Sequence, residues 1–381
     1  MKPEFSFELS ADNRPTGLAL DPGIGGSKIR VCFRGFLTDE DGDVFHNALD
    51  SISQPHLKEW KVRTGRDEGS ITNLLVFIGN GKAIVHINFR VVATMIAKRT
   101  LAKGEPVTRD DIADIRALSF EDIEIPRDRA VIYVFSHGWR RFLFFDYVPL
   151  LGDELRAKYS IDDSPTCIRD VAPRLHAIAL FPELYHSKPE VQANARRRGW
   201  FPYIRILGTK YRELLEAIEH GFPIEEVEAK IVDSFDAGYM HKMVESWMTK
   251  IEFKASESFY LSGLKNFLED DYIGSVHVLF PRIEGLMQRL FLDKKGKASQ
   301  SELVKTLIEK TKEQNPDSCL YMADDFGTFL KEYYFAHFDL KSGKTTLSRH
   351  SVGHGVVEEN IINRVSSFQA FLILDQIFFY L

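Results

Sequence analysis

One stretch near the end of the chain, Tyr272–Arg289, with the sequence YIGSVHVLFPRIEGLMQR, decides the fold class of the C-terminal part. Its apolar residues recur at alternating intervals of three and four, which is the spacing of one face of an α-helix. Pro281 falls inside this pattern, so we expect a kink or one missing backbone hydrogen bond there. The pattern predicts a long helix with one apolar stripe, formed by Ile273, Val276, Phe280, Ile283, Met287 and Leu290.

The last residues of the chain carry a second helical pattern of the same kind. The segment FQAFLILDQIFFYL is too short to cross a membrane, and Asp375 interrupts it. Two additional isoleucines widen the apolar face, so we expect this helix to be buried on two sides. The residues of this face are Ile361, Val365, Phe368 and Leu372, with Ile373 and Ile377 beside them.

The first 150 residues show strand patterns instead of helical ones. Asn80-Gly81 is a typical hairpin turn, and Ser136–Gly138 separates two further apolar runs. We therefore expect several antiparallel strands with one or two helices. Runs rich in β-branched and apolar residues predict the strands at 28–34, 73–78, 82–89, 130–135 and 141–145.

These patterns predict an α+β multidomain protein. Residues 1–160 form a mixed, strand-rich domain of unknown role, and residues 161–252 form a helical middle region. Within the middle region, Tyr211–Gly221 ends in glycine, a common helix stop, and a second helix runs from Glu225 to about residue 235. Residues 253–381 are then expected to form an all-α bundle.

Composition narrows the classes of function. The 381 residues include 49 Lys and Arg against 55 Asp and Glu, a net charge of −6, which excludes a bulk basic surface for duplex binding. The three cysteines lie far apart, so neither a disulfide framework nor a metal-ligand spacing is expected. The N-terminus lacks the apolar core of a signal peptide, and a cytoplasmic location is expected.

The strongest functional motif is Ser348–Gly355, SRHSVGHG, which we expect to open the last helix after another helix ends near Asp339. The guanidinium of Arg349 can hold a phosphate, and His354 can move protons near neutral pH. Together they suit attack of an RNA 2′-hydroxyl on the adjacent phosphate. On spacing alone a capped, hydrogen-bonded loop is favoured, and Arg169 with His176 forms a similar pair without supporting context.

Residues 255–381 resemble the HEPN superfamily (higher eukaryotes and prokaryotes nucleotide-binding) of helical bundles. The resemblance implies a homodimer that cleaves RNA without metal or cofactor, in a stress-response or phage-defence setting. Other members of the superfamily bind nucleotides or partners without chemistry, so a non-catalytic dimerisation or binding module remains the alternative. The motif is matched by Arg349, His350, His354 and Gly355, and the second helix of the family by Leu279, Pro281, Ile283, Glu284, Gly285, Leu286 and Arg289.

Two residues are candidates for supporting the catalytic pair. Glu284 shares a predicted helix face with His277 and Gln288, and it could orient Arg349 or His354. A solvated face or a structural salt bridge explains Glu284 equally well. His350 is the other candidate, since it directly follows the arginine of the motif.

A third candidate region mixes charge with aromatic residues. Arg196, Arg197 and Arg198 precede an aromatic segment, and this combination suits single-stranded nucleic acid through phosphate contacts and base stacking. A solvated basic turn beside buried aromatic residues is the alternative, and it is favoured. The aromatic residues are Trp200, Phe201 and Tyr203.

Four other segments are interpreted as local structure. Leu18–Arg30 resembles the first phosphate loop of sugar kinases but is expected to be a glycine-rich turn. Leu101–Ile112 resembles part of an SAF-type module, and a helix capped by Thr108 explains it equally well. Asp39–Asp43 fails the calcium-loop spacing and predicts a turn. His137–Arg140 is expected in a hairpin connection.

Overall fold

The computed structural model describes residues 5–10, 15–66, 71–159, 167–292, 298–338 and 347–381. The fold is mixed, with a sheet in the N-terminal part and helices after it, as the sequence predicts. The chain divides into two compact units: unit 1 is Met1–Thr94 with Ala117–Leu180, and unit 2 is Met95–Arg116 with Phe181–Leu381. This division differs from the three predicted domains, because 181–252 and 253–381 share one unit and Met95–Arg116 joins it.

Unit 1 is built on a six-stranded antiparallel sheet with the order β1-β6-β5-β9-β10-β4. Smaller two-stranded sheets pair β2 with β3 and β7 with β8. The strands are β1 (Phe5–Ser10), β2 (Leu18–Ala19), β3 (Val31–Cys32), β4 (Arg34–Thr38), β5 (Asn73–Gly79), β6 (Lys82–Ile87), β7 (Val91–Ala97), β8 (Ile112–Phe120), β9 (Ala130–His137) and β10 (Arg140–Asp146).

Both faces of the central strands are covered, which explains why β5 and β9 are apolar and buried at nearly every position. Helix α1 (Asp43–Thr64) buries Phe45, Leu49 and Trp60 in one core with alternate residues of β5 and β6. On β9, Phe135 stacks instead on His176 of helix α3 (Ile168–Leu180). A short helix, α2 (Asp153–Tyr159), precedes α3.

In unit 1 the predicted turns are confirmed, whereas one predicted strand is not. Asn80 and Gly81 both have positive φ and connect β5 to β6. The predicted strand at 28–34 is wrong, since only the short β3 and the start of β4 are extended there. The predicted turn at Asp39–Asp43 is a 3-10 turn, Asp39–Asp41, that leads into α1.

Segment Met95–Arg116 of unit 2 differs from its predicted structure after Thr108. Thr108 does form a capping box, but the turn it caps, Arg109–Asp111, is a single 3-10 turn. The chain then continues directly as β8, so the helix expected after Thr108 is absent from this described segment. The apolar run of β8 favours a strand over a longer helix.

The rest of unit 2 is helical. Gly221 has φ +69° and ends α6, as predicted. The helices are α4 (Pro182–Tyr185), α5 (Pro189–Arg197), α6 (Thr209–His220), α7 (Ile224–Asp233), α8 (Ala237–Trp247), α9 (Ile251–Lys254), α10 (Glu257–Leu268), α11 (Tyr272–Leu290), α12 (Gln300–Gln314), α13 (Ala323–Phe329), α14 (Arg349–Gly353) and α15 (Arg364–Tyr380), and a π-helical turn, Leu330–Tyr334, follows α13.

Helix α15 lies in the centre of unit 2 and is buried on nearly all sides, as its wide apolar face predicts. Its one acidic residue, Asp375, is buried with Arg205, and Nε of Arg205 lies 2.8 Å from the carboxylate. Helices α10, α11 and α12 pack against α15. In the described part of the chain, no helix has both the length and the apolar character needed to cross a membrane.

Candidate functional site

The predicted motif lies in its own short helix and not at the start of α15. Ser348 caps α14 through a capping box with Ser351, and the backbone of His354 ends the helix. Helix α15 begins only at Arg364, after Asn363 caps it, so the motif is separated from the last helix. The expected helix end near Asp339 lies outside the described residues.

Arg349 and Glu284 form an ion pair between α14 and α11. Nε of Arg349 donates to Oε2 of Glu284 at 2.5 Å, and the two side chains are 33% and 20% exposed. Gly353 leaves room for this arrangement, because a Cβ at that position would overlap Nη1 of Arg349. Arg349 is therefore held by a carboxylate and remains partly open to solvent.

The predicted face of Glu284 is only partly reproduced. His277 is exposed, and its Nδ1 donates to the carbonyl oxygen of Ile273 in its own helix at 2.9 Å. Gln288 is also exposed. Of these three residues, Glu284 is the one with a described bond to the motif.

Three histidine rings lie in series beside the ion pair. The rings of His337 and His350 stack with centroids 4.8 Å apart, and those of His350 and His354 stack at 6.4 Å. His337 and His354 are exposed, whereas His350 is half-buried. The cluster therefore presents imidazole groups to solvent next to a guanidinium.

The surroundings of His350 favour one protonation state of its ring. Burial lowers its pKa, and the nearby His337, Arg349 and His354 lower it further, so its neutral form is favoured. The side-chain nitrogen of Gln300 lies 2.8 Å from Nε2 of His350. With the amide assigned in this orientation, Gln300 donates to Nε2, and the proton of His350 is then on Nδ1.

Sequence reasoning missed His337, Gln300 and Phe338, whose ring meets that of His354 edge-on at 5.7 Å. His337 follows the aromatic run Tyr333–Phe335, and Gln300 is the first residue of α12. Neither position carries a motif. Tertiary packing brings Gln300 of α12 and His337, which follows the π-helical turn, to His350.

The basic segment 196–198 does not combine with exposed aromatic residues. Arg196 pairs with Glu332 at 3.3 Å, while Arg197 and Arg198 are exposed. The neighbouring Trp200, together with Phe201 and Tyr203, is fully buried, so these rings cannot stack on bases. The favoured interpretation, a basic turn beside buried aromatic residues, is confirmed for the aromatic side chains.

The remaining motifs are local structure. Leu18 and Ala19 form β2, and residues 20–30 form an exposed loop between β2 and β3, in which Arg30 pairs with Asp21. His137–Arg140 spans the β9–β10 hairpin, as expected, and Trp139 is fully exposed there. His176 lies 3.0 Å from the hydroxyl of Tyr133.

The described residues contain no group of three or more His, Cys, Asp or Glu side chains arranged to hold a metal ion. The cysteines Cys32, Cys167 and Cys319 are not joined by disulfides.

The chain matches no protein-family model, no curated protein and no solved structure. A functional interpretation therefore depends on the chemistry of the cluster formed by Glu284, Arg349, His350, His354 and His337.

Proposed function

We propose that this chain is a metal-independent endoribonuclease whose C-terminal, HEPN-like part, 253–381, cleaves RNA through Arg349 and His354. The observation that carries the proposal is the ion pair of Arg349 with Glu284 beside three histidine rings on a partly exposed surface. This arrangement supplies a fixed cation beside imidazole groups, the side-chain type most often used as a general acid or base.

The proposed reaction is an internal transfer at one phosphate. His354 takes the proton of the ribose 2′-hydroxyl while the 2′-oxygen attacks the adjacent phosphorus. The bond from phosphorus to the 5′-oxygen of the next nucleotide breaks, and that oxygen takes a proton from a protonated imidazole of the cluster. The products are a 2′,3′-cyclic phosphate and a 5′-hydroxyl, and Arg349 stabilises the negative charge that develops on phosphate.

Glu284 and His350 support this pair in different ways. Glu284 orients the guanidinium through Nε, while the Nη groups carry the other N–H donors of the fork. His350 is favoured in its neutral form between His337 and His354, so it separates the two exposed rings without adding charge. We further propose that Arg197 and Arg198, which are exposed, contact RNA phosphates, and that Arg196 contributes less because it pairs with Glu332.

The first experiment incubates the purified full-length protein with total RNA and tRNA in excess EDTA. The wild type is expected to produce ends with 2′,3′-cyclic phosphates, and Arg349→Ala and His354→Ala are each expected to abolish cleavage. His277→Ala is the matched control, because His277 is an exposed histidine bonded within its own helix. Cleavage that persists in both motif variants would refute the proposal.

A second candidate function is binding of a nucleotide or partner, with dimerisation, at the same cluster and without chemistry. The ion pair favours it in one respect. Glu284 neutralises positive charge on Arg349, and this charge would otherwise stabilise the negative charge that develops on phosphate during cleavage. This function predicts no cleavage in EDTA or in Mg²⁺, and weaker nucleotide binding by Arg349→Ala in calorimetry. Sedimentation of the wild type tests the homodimer directly.

A further inference from the structure

Helix α11 receives a side chain from another element just before the residue that holds Arg349. In a regular α-helix the N–H of Glu284 would donate directly to the carbonyl oxygen of Phe280. Here the hydroxyl of Tyr334 bonds to both of these groups, donating to the Phe280 oxygen at 2.6 Å and accepting from the Glu284 N–H at 3.1 Å. Pro281 lies in the same turn of α11 and has no N–H to donate to the carbonyl oxygen of His277.

Tyr334 reaches this position because of its own backbone. It is the last residue of the π-helical turn Leu330–Tyr334, and its side chain is fully buried. Burial raises the pKa of Tyr334 well above its ordinary value, so the hydroxyl keeps its proton and remains a donor. The hydroxyl thus couples the π-helical turn to one turn of α11, and π-helical turns are frequent at functional sites.

The three residues form one connected series from the core to the surface. The Tyr334 hydroxyl holds the backbone of Glu284, and the Glu284 carboxylate holds Nε of Arg349 at 2.5 Å. We propose that Tyr334 is a positioning residue, which places the Arg349 guanidinium through Glu284. Its effect on RNA cleavage rests on the proposed function, whereas its effect on Arg349 does not.

The neighbouring Tyr333 provides a matched control. It lies in the same π-helical turn and is also buried, but its hydroxyl donates to Oε1 of Gln369 at 3.0 Å and not to α11. Tyr334→Phe and Tyr333→Phe each remove one buried, hydrogen-bonded hydroxyl and keep the ring. A general loss of stability is therefore common to both variants, whereas a displaced Glu284 is expected only in Tyr334→Phe.

The activity measurement separates positioning from binding. We expect Tyr334→Phe to lower kcat about tenfold or more with KM within about threefold, since a small displacement of a charge-stabilising group acts mainly on the transition state. Tyr333→Phe should retain kcat near the wild-type value. In a Glu284→Gln background, Tyr334→Phe should cause little additional loss. Equal losses of kcat in the two tyrosine variants would overturn the proposal.

A second measurement is independent of RNA cleavage. NMR of arginine-labelled protein reports exchange of the Arg349 Nε–H with solvent, which should accelerate in Tyr334→Phe and not in Tyr333→Phe. If the wild type cleaves no RNA, this difference still supports the positioning role, and its absence overturns that role alone. In the wild type, the backbone amide hydrogen of Glu284 should exchange slowly with solvent, because it donates to the Tyr334 hydroxyl. Fast exchange of this hydrogen contradicts the proposal even if Tyr334→Phe fails to fold.

Discussion

Lys98 offers a quantitative test of the packing of unit 2. The residue directly follows β7, its side chain is buried, and Nζ donates to the carbonyl oxygen of Leu207 at 2.6 Å. Burial lowers the pKa of Lys98 to about 7 from 10.5, an effect that Asp110 opposes and nearby cations reinforce. Replacing Lys98 by Met removes the titrating group while keeping a similar length of apolar side chain.

The sign and size of the effect follow from this pKa. Below pH 7 the folded chain keeps an ammonium group in the interior, and between pH 7 and 10.5 the unfolded chain holds more protons. The free energy of unfolding of the wild type therefore rises by about 1.4 kcal/mol per pH unit in that window. Lys98→Met also leaves the Leu207 oxygen without this donor, a loss of about 1–3 kcal/mol that does not depend on pH.

We therefore expect Lys98→Met to be more stable than the wild type at pH 6, by about 2–4 kcal/mol. The difference should shrink by about 3 kcal/mol as the pH rises from 7 to 9.5. Urea unfolding followed by tryptophan emission measures both quantities at each pH. Lys254→Met is the control, because Lys254 is exposed and its replacement should give a constant difference. A constant difference for Lys98→Met would refute the reasoning.

Three further predictions concern other parts of the fold. Burial lowers the pKa of His176 to about 4, so wild-type stability should fall by about 3 kcal/mol from pH 6.5 to 4, and His176→Phe should lack this component in acid titrations. Gly353→Ala should displace Arg349 and reduce RNA cleavage about tenfold without lowering Tm; full activity would contradict the role assigned to Gly353. Asp375→Asn leaves the buried Arg205 without its counter-charge and should reduce the free energy of unfolding by about 3–5 kcal/mol in urea; a loss below 1 kcal/mol would argue against this pair.

The two histidines of the motif lie four residues apart in different surroundings. His350 is half-buried beside Arg349, and both burial and positive neighbours favour its neutral form. His354 is exposed at the end of α14. His350 and His354 therefore differ in exposure, and the exposed ring is the one to which the proposed reaction assigns proton transfer.

The parts of the fold that depend on local chemistry could be predicted from the sequence. Asn80 and Gly81 both adopt positive φ, which these residue types tolerate locally, and Gly221 ends α6 for the same reason. The stripe of α11, apart from the exposed Ile273, was also predictable, because helical periodicity is contained in the residues themselves. The same holds for the wide face of α15, except that Ile361 lies in the 3-10 turn before the helix. Ser348 likewise caps α14 through a bond to a residue three positions away.

The candidate site depended on tertiary packing. Glu284 and Arg349 are 65 positions apart, and Gln300 and His350 are 50 apart, so no local pattern links either pair. The sequence also contains no sign that the Tyr334 hydroxyl enters α11, or that Met95–Arg116 belongs to unit 2. Local signals end after a few residues, because turns and caps are short-range interactions. The direction of a side chain across a helix interface is set only when the whole core packs.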